Sequence, residues 1–465
     1  MNLRLIVPEL ILVGMSLALL LVARRIQRTS AAVAGTVLAA LAAALASGWV
    51  LSLGASTGFG GMIVVDGYSQ FFKVLVAATL ALAALLSVKN LEGIPRGEYH
   101  ALLLLAATGM MLAVSARDLL PLYLGLELMT LCSYILVGIR VERPASNEAA
   151  IKYFLLGSFA SALLIYGISL TYGVTGTTDF GAIASALTGH DPGSNALLLV
   201  AIGLVAAGLA FKIAAAPLHS WAPDAYQGAS APVAAFLAAG SKAVGLAALG
   251  RVCLAVYGSE SHVLSVLLAG LAGLSIIVGS VIALSQTDVK RLLAYSSISH
   301  AGYALLGLIA GTPEGITATM TYAFFYVFMT LGAFGVVIAL GERGENLDGY
   351  RGLAAQRPGT AALMLIFLMS LTGIPPTAGF AAKFVVILSA VRAGQMTLAV
   401  LAVACSVVSA FFYMRIAVLM YMNEPQEAVP PRYPVPVFAA IVVALLVTVI
   451  GGVSPGSLPQ WVVSP

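Results

Sequence analysis

The sequence predicts an all-α polytopic membrane protein of about fourteen transmembrane helices, built as two inverted five-helix repeats in which helices 7 and 12 are broken. Three observations carry the prediction. The 465-residue chain is 60% hydrophobic and only 9% charged, with a mean hydropathy of +1.02. Apolar runs of about twenty residues, enough to cross a bilayer core of about 30 Å, recur from Leu5 to Ile450. Two of those runs are interrupted by proline. A soluble domain carries about a quarter charged residues, and a membrane β-barrel would show short alternating segments instead. In the bilayer the backbone must bond to itself, which long apolar runs do as helices.

In order, the expected spans cover residues 5–23, 31–53, 71–88, 99–115, 119–139 and 149–174. Then come 195–226 (interrupted), 229–257, 262–284, 290–310 and 314–340. The last three are 360–391 (interrupted), 397–422 and 434–453. The first run ends at Arg24 and Arg25 without a small-residue cleavage site, so it reads as a retained span and not a signal peptide. Loop cations are asymmetric. Arg24, Arg25, Arg28, Lys89, Arg96, Arg140, Arg143, Lys290, Arg291, Arg343, Arg351, Arg357 and Arg432 fall on one side; only Arg4, Arg117, Arg251 and Arg392 fall on the other. The positive-inside bias places the richer side in the cytoplasm and both termini outside. The segment 175–195, free of Lys and Arg, suits the outer face. A net charge of +4 spread over loops is no nucleic-acid signature. Cys132, Cys253 and Cys405 are isolated within apolar runs and read as buried small hydrophobes.

The breaks organise the chain. One reads Ala214-Ala215-Ala216-Pro217-Leu218-His219-Ser220-Trp221-Ala222-Pro223, the other Ser370-Leu371-Thr372-Gly373-Ile374-Pro375-Pro376-Thr377. Proline removes a donor and clashes with the preceding turn, so both helices must open. Freed backbone at membrane depth is tolerated only against protein or a water-filled cavity. Paired interruptions in corresponding places point to a repeated transporter core. The expected division is three helices in 1–98, a first repeat in 99–258, a second in 259–423, and a last helix in 424–465. An odd number of spans per repeat inverts the second copy.

Ionisable residues inside spans cost several kcal/mol and mark function. They are Glu127, Lys212, Lys242, His300 and Lys383, with Lys152 in a weaker position. Glu127 and Lys242 are central in their spans. Lys212 precedes one break and Lys383 follows the other. Burial disfavours an ammonium and a nearby carboxylate restores it, so a Glu127–Lys212 pair that closes and opens would hold and release a proton. Lys242, His300 and Lys383 would continue a hydrated relay. The competing reading makes these charges structural interhelix pairs, but the lysines outnumber the acids. Lys152 lies about a turn into its span, where snorkelling competes with relay membership. Lys73 and Arg415 read as snorkelling span-end residues, Lys290 as a cytoplasmic-end anchor, and Asp224 and Asp288 as helix-end residues. His219 suits either the cytoplasmic entrance or a structural hydrogen bond, and His100, His190 and His262 read as interfacial. One deep histidine is too few for a membrane haem, and no phosphate-binding loop is present.

Three blocks resemble signatures of one family. The stretch Phe211-Lys212-Ile213-Ala214-Ala215-Ala216-Pro217, continuing through Trp221 and Pro223 to Gly228-Ala229, is similar to the seventh-span signature of the antiporter-like subunits of proton-pumping NADH–quinone oxidoreductase (respiratory complex I). Asp288-Val289-Lys290-Arg291, running through Tyr295 to His300, resembles their tenth-span signature. Gly373-Ile374-Pro375-Pro376-Thr377-Ala378-Gly379-Phe380, continuing to Lys383-Phe384, looks like the broken twelfth span of the subunit N members. The likeness covers essentially the whole chain. It implies that Glu127 and Lys212 form the pump's ion pair, that Lys242 is the connecting lysine and that Lys383 is the terminal lysine toward the outside. Subunit M members usually carry glutamate at that last position and subunit L members are longer. Ala222 and the run Gly228 to Pro232 depart from the commonest wording without touching an ionisable position. The resemblance further implies that this chain binds no cofactor, with NADH, FMN, iron–sulfur clusters and quinone on other subunits. It implies neighbours of the M and K type in a bacterial inner membrane. A multisubunit cation/proton antiporter and a non-pumping scaffold are the competing functions. Buried lysines argue against the scaffold, and the electron donor (NADH, ferredoxin or F420) is set by other chains.

Overall fold

The computed structural model describes residues 2–23, 29–88, 91, 93–188, 195–255, 262–425 and 433–453. Arg24, Arg25, Arg28, Lys89, His190 and Arg432, and the expected span end at 257, lie outside them. Helices α1 (Val7–Val22) and α2 (Thr29–Ser52) are followed by α3 (Gly67–Leu86), α4 (Arg96–Val114), α5 (Leu119–Val137) and α6 (Pro144–Thr175). A short α7 (Phe180–Leu187) precedes α8 (Ala196–Lys212), α9 (Trp221–Gly228), α10 (Ala231–Phe236) and α11 (Lys242–Ala255). Then come α12 (His262–Ala283), α13 (Val289–Ile309), α14 (Pro313–Leu340) and a one-turn α15 (Leu353–Gln356). The chain closes with α16 (Pro358–Thr372), α17 (Ala378–Arg392), α18 (Met396–Met422) and α19 (Val435–Val453). Twelve helical runs are long and apolar enough to cross a membrane, and α8 and α16 are shorter apolar helices. The chain is a multi-pass α-helical membrane protein.

Local chemistry sets the boundaries. Asp66 opens α3 with a capping box, its carboxylate accepting from the Ser69 N–H while the Ser69 hydroxyl takes the Asp66 N–H. Asp118 and Asp288 cap α5 and α13 in the simpler way. Thr312 followed by Pro313 starts α14. The breaks fall where the prolines put them: α8 stops at Lys212 before α9 resumes at Trp221, and α16 stops at Thr372 before α17 resumes at Ala378. Helices α4 and α5 cross at Gly109 and Gly125, where an added Cβ on either would come within 2.7 Å of the other helix's backbone.

Three features escape the sequence reading. A two-stranded hairpin, β1 (Ser56–Gly58) with β2 (Ile63–Val65), fills the α2–α3 connection. Helix α7 occupies part of the segment expected as plain outer loop. The span carrying Lys242 is not one regular helix, because residues Leu237–Ser241 widen into a π turn between α10 and α11. All three are too short, or too uniformly apolar, to leave a periodic signal.

Several residues are placed differently from expectation. Lys73 does not snorkel: it is fully buried, with its Nζ 2.7 Å from the Glu9 carboxylate of α1. A partner acid from another span removes the need to reach water. His100 is buried and not interfacial, its Nδ1 3.0 Å from the Thr36 hydroxyl of α2. Lys290 stands in the first turn of α13, at the span end as expected, and is buried there against Glu345 at 3.0 Å. Asp288 caps α13 as expected, and the three cysteines are buried and free.

Candidate proton-transfer site

The site begins on α5, where Glu127 lies a little over two turns from the Asp118 cap. Its Oε1 receives two donors: the Ser161 hydroxyl of α6 and, at 3.0 Å, the Nζ of Lys212. Lys212 also donates to Thr130 Oγ1 at 2.7 Å. The lysine side chain is 2% exposed and the glutamate 19%, so this is an ion pair at the edge of the dry interior. Lys212 is the last residue of α8, where the carbonyl end of a helix favours a cation. Donors at the break beyond it find partners. Trp221 Nε1 donates to the Phe211 carbonyl at 2.9 Å, and the Ala216 N–H donates to Ser275 Oγ at 2.8 Å. This is the satisfaction that irregular backbone requires at membrane depth.

Lys383 answers Lys212 at the second break but in different company. Its Nζ donates to the Thr372 carbonyl at 2.8 Å, the last residue of α16, and to Ser406 Oγ at 3.0 Å. It also stands 4.5 Å from the centre of the Tyr303 ring, a cation–π arrangement. Among the described residues no carboxylate pairs with it. A helix-end carbonyl, a hydroxyl and a ring face therefore do what Glu127 does for Lys212, with less charge compensation. Lys242 is similar: its Nζ donates to the Ser297 hydroxyl at 2.9 Å and to the Ser297 carbonyl.

Helix α13 connects these lysines. Ser297, His300 and Tyr303 follow at three-residue spacing, so they share one face and rise by roughly 4.5 Å each. Ser297 holds Lys242 and Tyr303 lies beneath Lys383. Between them His300 places Nδ1 2.6 Å from the Tyr322 hydroxyl and Nε2 3.4 Å from that of Tyr413, which is itself bonded to Ser296. On the other side α11 packs on the end of α8 through Gly245, where an added Cβ would lie 3.3 Å from the Lys212 backbone. Lys242 is one turn from that contact.

The structure thus brings Glu127 and Lys212 together, and sets Lys242, His300 and Lys383 along α13. Lys152 stands apart. Its side chain is 47% exposed and paired to Glu148 at 2.6 Å and Asp224 at 3.3 Å, in a surface cluster with Arg291. The sequence reading missed the hydroxyls that hold the lysines: Thr130, Ser161, Ser297 and Ser406. Serine and threonine in apolar helices commonly bond back to their own helix, so their presence alone carries no signal. Ser297 and Tyr303 were findable, because each sits one turn from His300.

The fold is that of a multi-pass membrane subunit with buried lysines beside its two helix breaks. Residues 116–409 match the family described as NADH:quinone oxidoreductase/Mrp antiporter, transmembrane. The chain is similar to the NADH-quinone oxidoreductase subunit N of Desulfovibrio desulfuricans, 46% identical over 91% of this chain and 89% of that one. Its fold is similar to a chain of respiratory complex I from Thermus thermophilus, with a TM-score of 0.83 and 35% identity over 97% of this chain and 98% of that one. A chain of the Mrp complex from Dietzia matches at a TM-score of 0.87 with 23% identity, covering 100% of this chain and 97% of that one; at that identity it speaks for the fold alone. The chain belongs to the NADH:quinone oxidoreductase/Mrp antiporter membrane-subunit family, and within it to the subunit N group.

Proposed function

We infer that this chain is a proton-translocating membrane-arm subunit of an NADH–quinone oxidoreductase. It moves protons across the membrane while quinone is reduced elsewhere in the complex. The observation that carries the reading is the Glu127–Lys212 pair continued by Lys242, His300 and Lys383 along α13. Closed at 3.0 Å, the pair holds a proton on Lys212; drawn apart, it leaves Lys212 a buried ammonium without a counter-charge, which favours release toward Lys242. Lys383, with no carboxylate partner among the described residues, is the terminal donor toward the outside. Lys152 acts outside this relay, as part of the surface ion cluster.

Fourteen spans follow if each broken pair, α8 with α9 and α16 with α17, counts as one. The two five-helix repeats then cover 99–258 and 259–423, and the break falls fourth in each. Glycine packing supports the equivalence, since Gly109 and Gly125 seat α4 on α5 as Gly279 and Gly302 seat α12 on α13. We place both termini outside a bacterial inner membrane, subunits of the M and K type alongside, and the redox cofactors on other subunits.

The family name also allows a cation/proton antiporter, and backbone shape does not separate the two. Identity of 46% to a subunit N favours the oxidoreductase. Purifying the complex in mild detergent decides the matter. Co-purification of a peripheral flavin and iron–sulfur module is the expected result. Its absence, with sodium-dependent exchange in vesicles, supports the antiporter.

A further inference from the structure

We propose that Trp221 is a positioning residue for the Glu127–Lys212 pair, fixing its closed geometry by clamping a strained turn at the end of α8. The proposal rests on the relay reading and deepens it by naming what holds the pair in place.

The strain lies at Ala214, two residues past Lys212. It is fully buried and stands at φ +55°, a left-handed conformation in which an L side chain crowds the following carbonyl. Glycine adopts it freely, whereas another residue keeps it only where the surroundings over-determine it. Three contacts do so here. Within the turn, the Ala214 N–H donates to the Phe211 carbonyl and the Ala215 N–H to the Ala210 carbonyl, each at 2.9 Å. Gly245 lets α11 close on the turn, where an added Cβ would come within 2.6 Å of the Ile213 side chain. Trp221, the first residue of α9, then returns across the break and donates its indole N–H to the same Phe211 carbonyl at 2.9 Å. That bond ties the start of α9 to the residue before Lys212.

The clamp is seated on the two helices that carry the rest of the pair. Trp221 is 2% exposed and stacks on Tyr153 of α6, with ring centres 4.4 Å apart and planes 11° apart. Tyr153 in turn meets Tyr134 of α5 edge to face, at 4.7 Å and 85°. Tyr134 lies two turns beyond Glu127 on the same face of α5. Tyr153 lies a little over two turns before Ser161, the serine that donates to Glu127. Gly157 keeps α6 clear of this stack, since an added Cβ there would strike the Tyr134 hydroxyl. One run of rings therefore joins α5 and α6, which hold Glu127, to the carbonyl that precedes Lys212.

Ordinary core packing accounts for the rings, and a buried indole N–H seeks an acceptor in any core. Neither accounts for an alanine held left-handed beside the pair's lysine, at a position where glycine would rest without strain.

Trp221→Phe keeps a ring against Tyr153 and removes the N–H. It strands no acceptor, because the Phe211 carbonyl retains the Ala214 N–H. The assembled complex carrying it is reconstituted in proteoliposomes. Protons moved per electron are measured beside wild type, a Lys212→Ala control, and the double variant Trp221→Phe with Ala214→Gly. The expected result is that Trp221→Phe melts in detergent and reduces quinone as wild type does, yet loses more than half of what Lys212→Ala loses. The double variant should regain at least half of that loss, because glycine holds the turn without a clamp. If Trp221→Phe fails to assemble, 3-benzothienylalanine at position 221 replaces it in both comparisons, with sulfur in place of the N–H in a ring of the same shape. Full pumping without the N–H overturns the clamp and leaves the relay standing. A loss that Ala214→Gly does not restore overturns it as well, and reduces Trp221 to packing. A Lys212→Ala control that keeps full pumping overturns the relay reading, and the clamp with it.

Discussion

Each lysine of the row is kept in the membrane by different neighbours, and those neighbours set what it can do. Lys212 has a carboxylate and a threonine hydroxyl, whereas Lys383 has a helix-end carbonyl, a serine hydroxyl and a tyrosine ring. Removing the carboxylate by Glu127→Gln strands the buried Lys212 ammonium. A buried charge that loses its partner costs roughly 3–5 kcal/mol, at the lower end here because Glu127 is partly exposed. A lower melting temperature in detergent together with lost pumping is the expected result, and an unchanged melt contradicts it. Lys383→Gln keeps a donor for the Thr372 carbonyl and lacks the transferable charge. That variant should assemble normally, as size-exclusion chromatography of the complex would show, while pumping fewer protons per electron.

Charged and broken positions were legible from the sequence at this scale, because an ionisable residue or a proline in an apolar run has no cheap explanation. Their hydroxyl partners were not, since Ser161 and Ser406 look like any small polar residue in a membrane helix. Lys73 was misread for a related reason. Distance from the span end suggested snorkelling, and only the fold places Glu9 opposite it.

Between helices, two ion pairs outside the relay tie the first three helices together and to the rest. Glu9 and Lys73 join α1 to α3 with no other hydrogen-bond partner among the described residues. Glu9→Gln alone leaves Lys73 unpaired and should destabilise by roughly 3–5 kcal/mol. Replacing both residues by methionine removes both charges and should recover most of that loss. Thermal melting of the two variants checks the pair of statements, and equal destabilisation contradicts them. At the other contact Arg251 of α11 grips the Asp66 carboxylate with bonds of 2.6 and 3.0 Å. Burial alone would raise the Asp66 carboxyl, but the Arg251 guanidinium outweighs it and holds the group below its ordinary value of 3.8. A depressed carboxyl stabilises the fold fully above that value and ceases to as pH falls through the lowered one. Arg251→Met leaves that carboxyl to the raising effect of burial, so the gap in melting between wild type and variant should be widest near neutral pH and should narrow as pH falls through the carboxylate range.

Helix content and the sites of both breaks were readable at the element scale, because span length and proline are strong signals. The π turn before Lys242 was not. A helix buried on every side has no polar face, so nothing in its pattern marks a change of winding.

Across the whole molecule, α13 is the spine. It holds Lys242 through Ser297 at one level and underlies Lys383 through Tyr303 at another, so both lysines stand against one helix. Hydropathy alone could not show this, because it counts spans without saying which faces touch. The resemblance to complex I subunits was carried by three short blocks, and the match over residues 116–409 extends it across both breaks. The most direct test of the central claim is the number of protons moved per electron by the assembled complex with Lys212→Ala or Lys383→Ala. The account predicts that each lowers the ratio while assembly and quinone reduction persist. A ratio equal to wild type in both variants contradicts it.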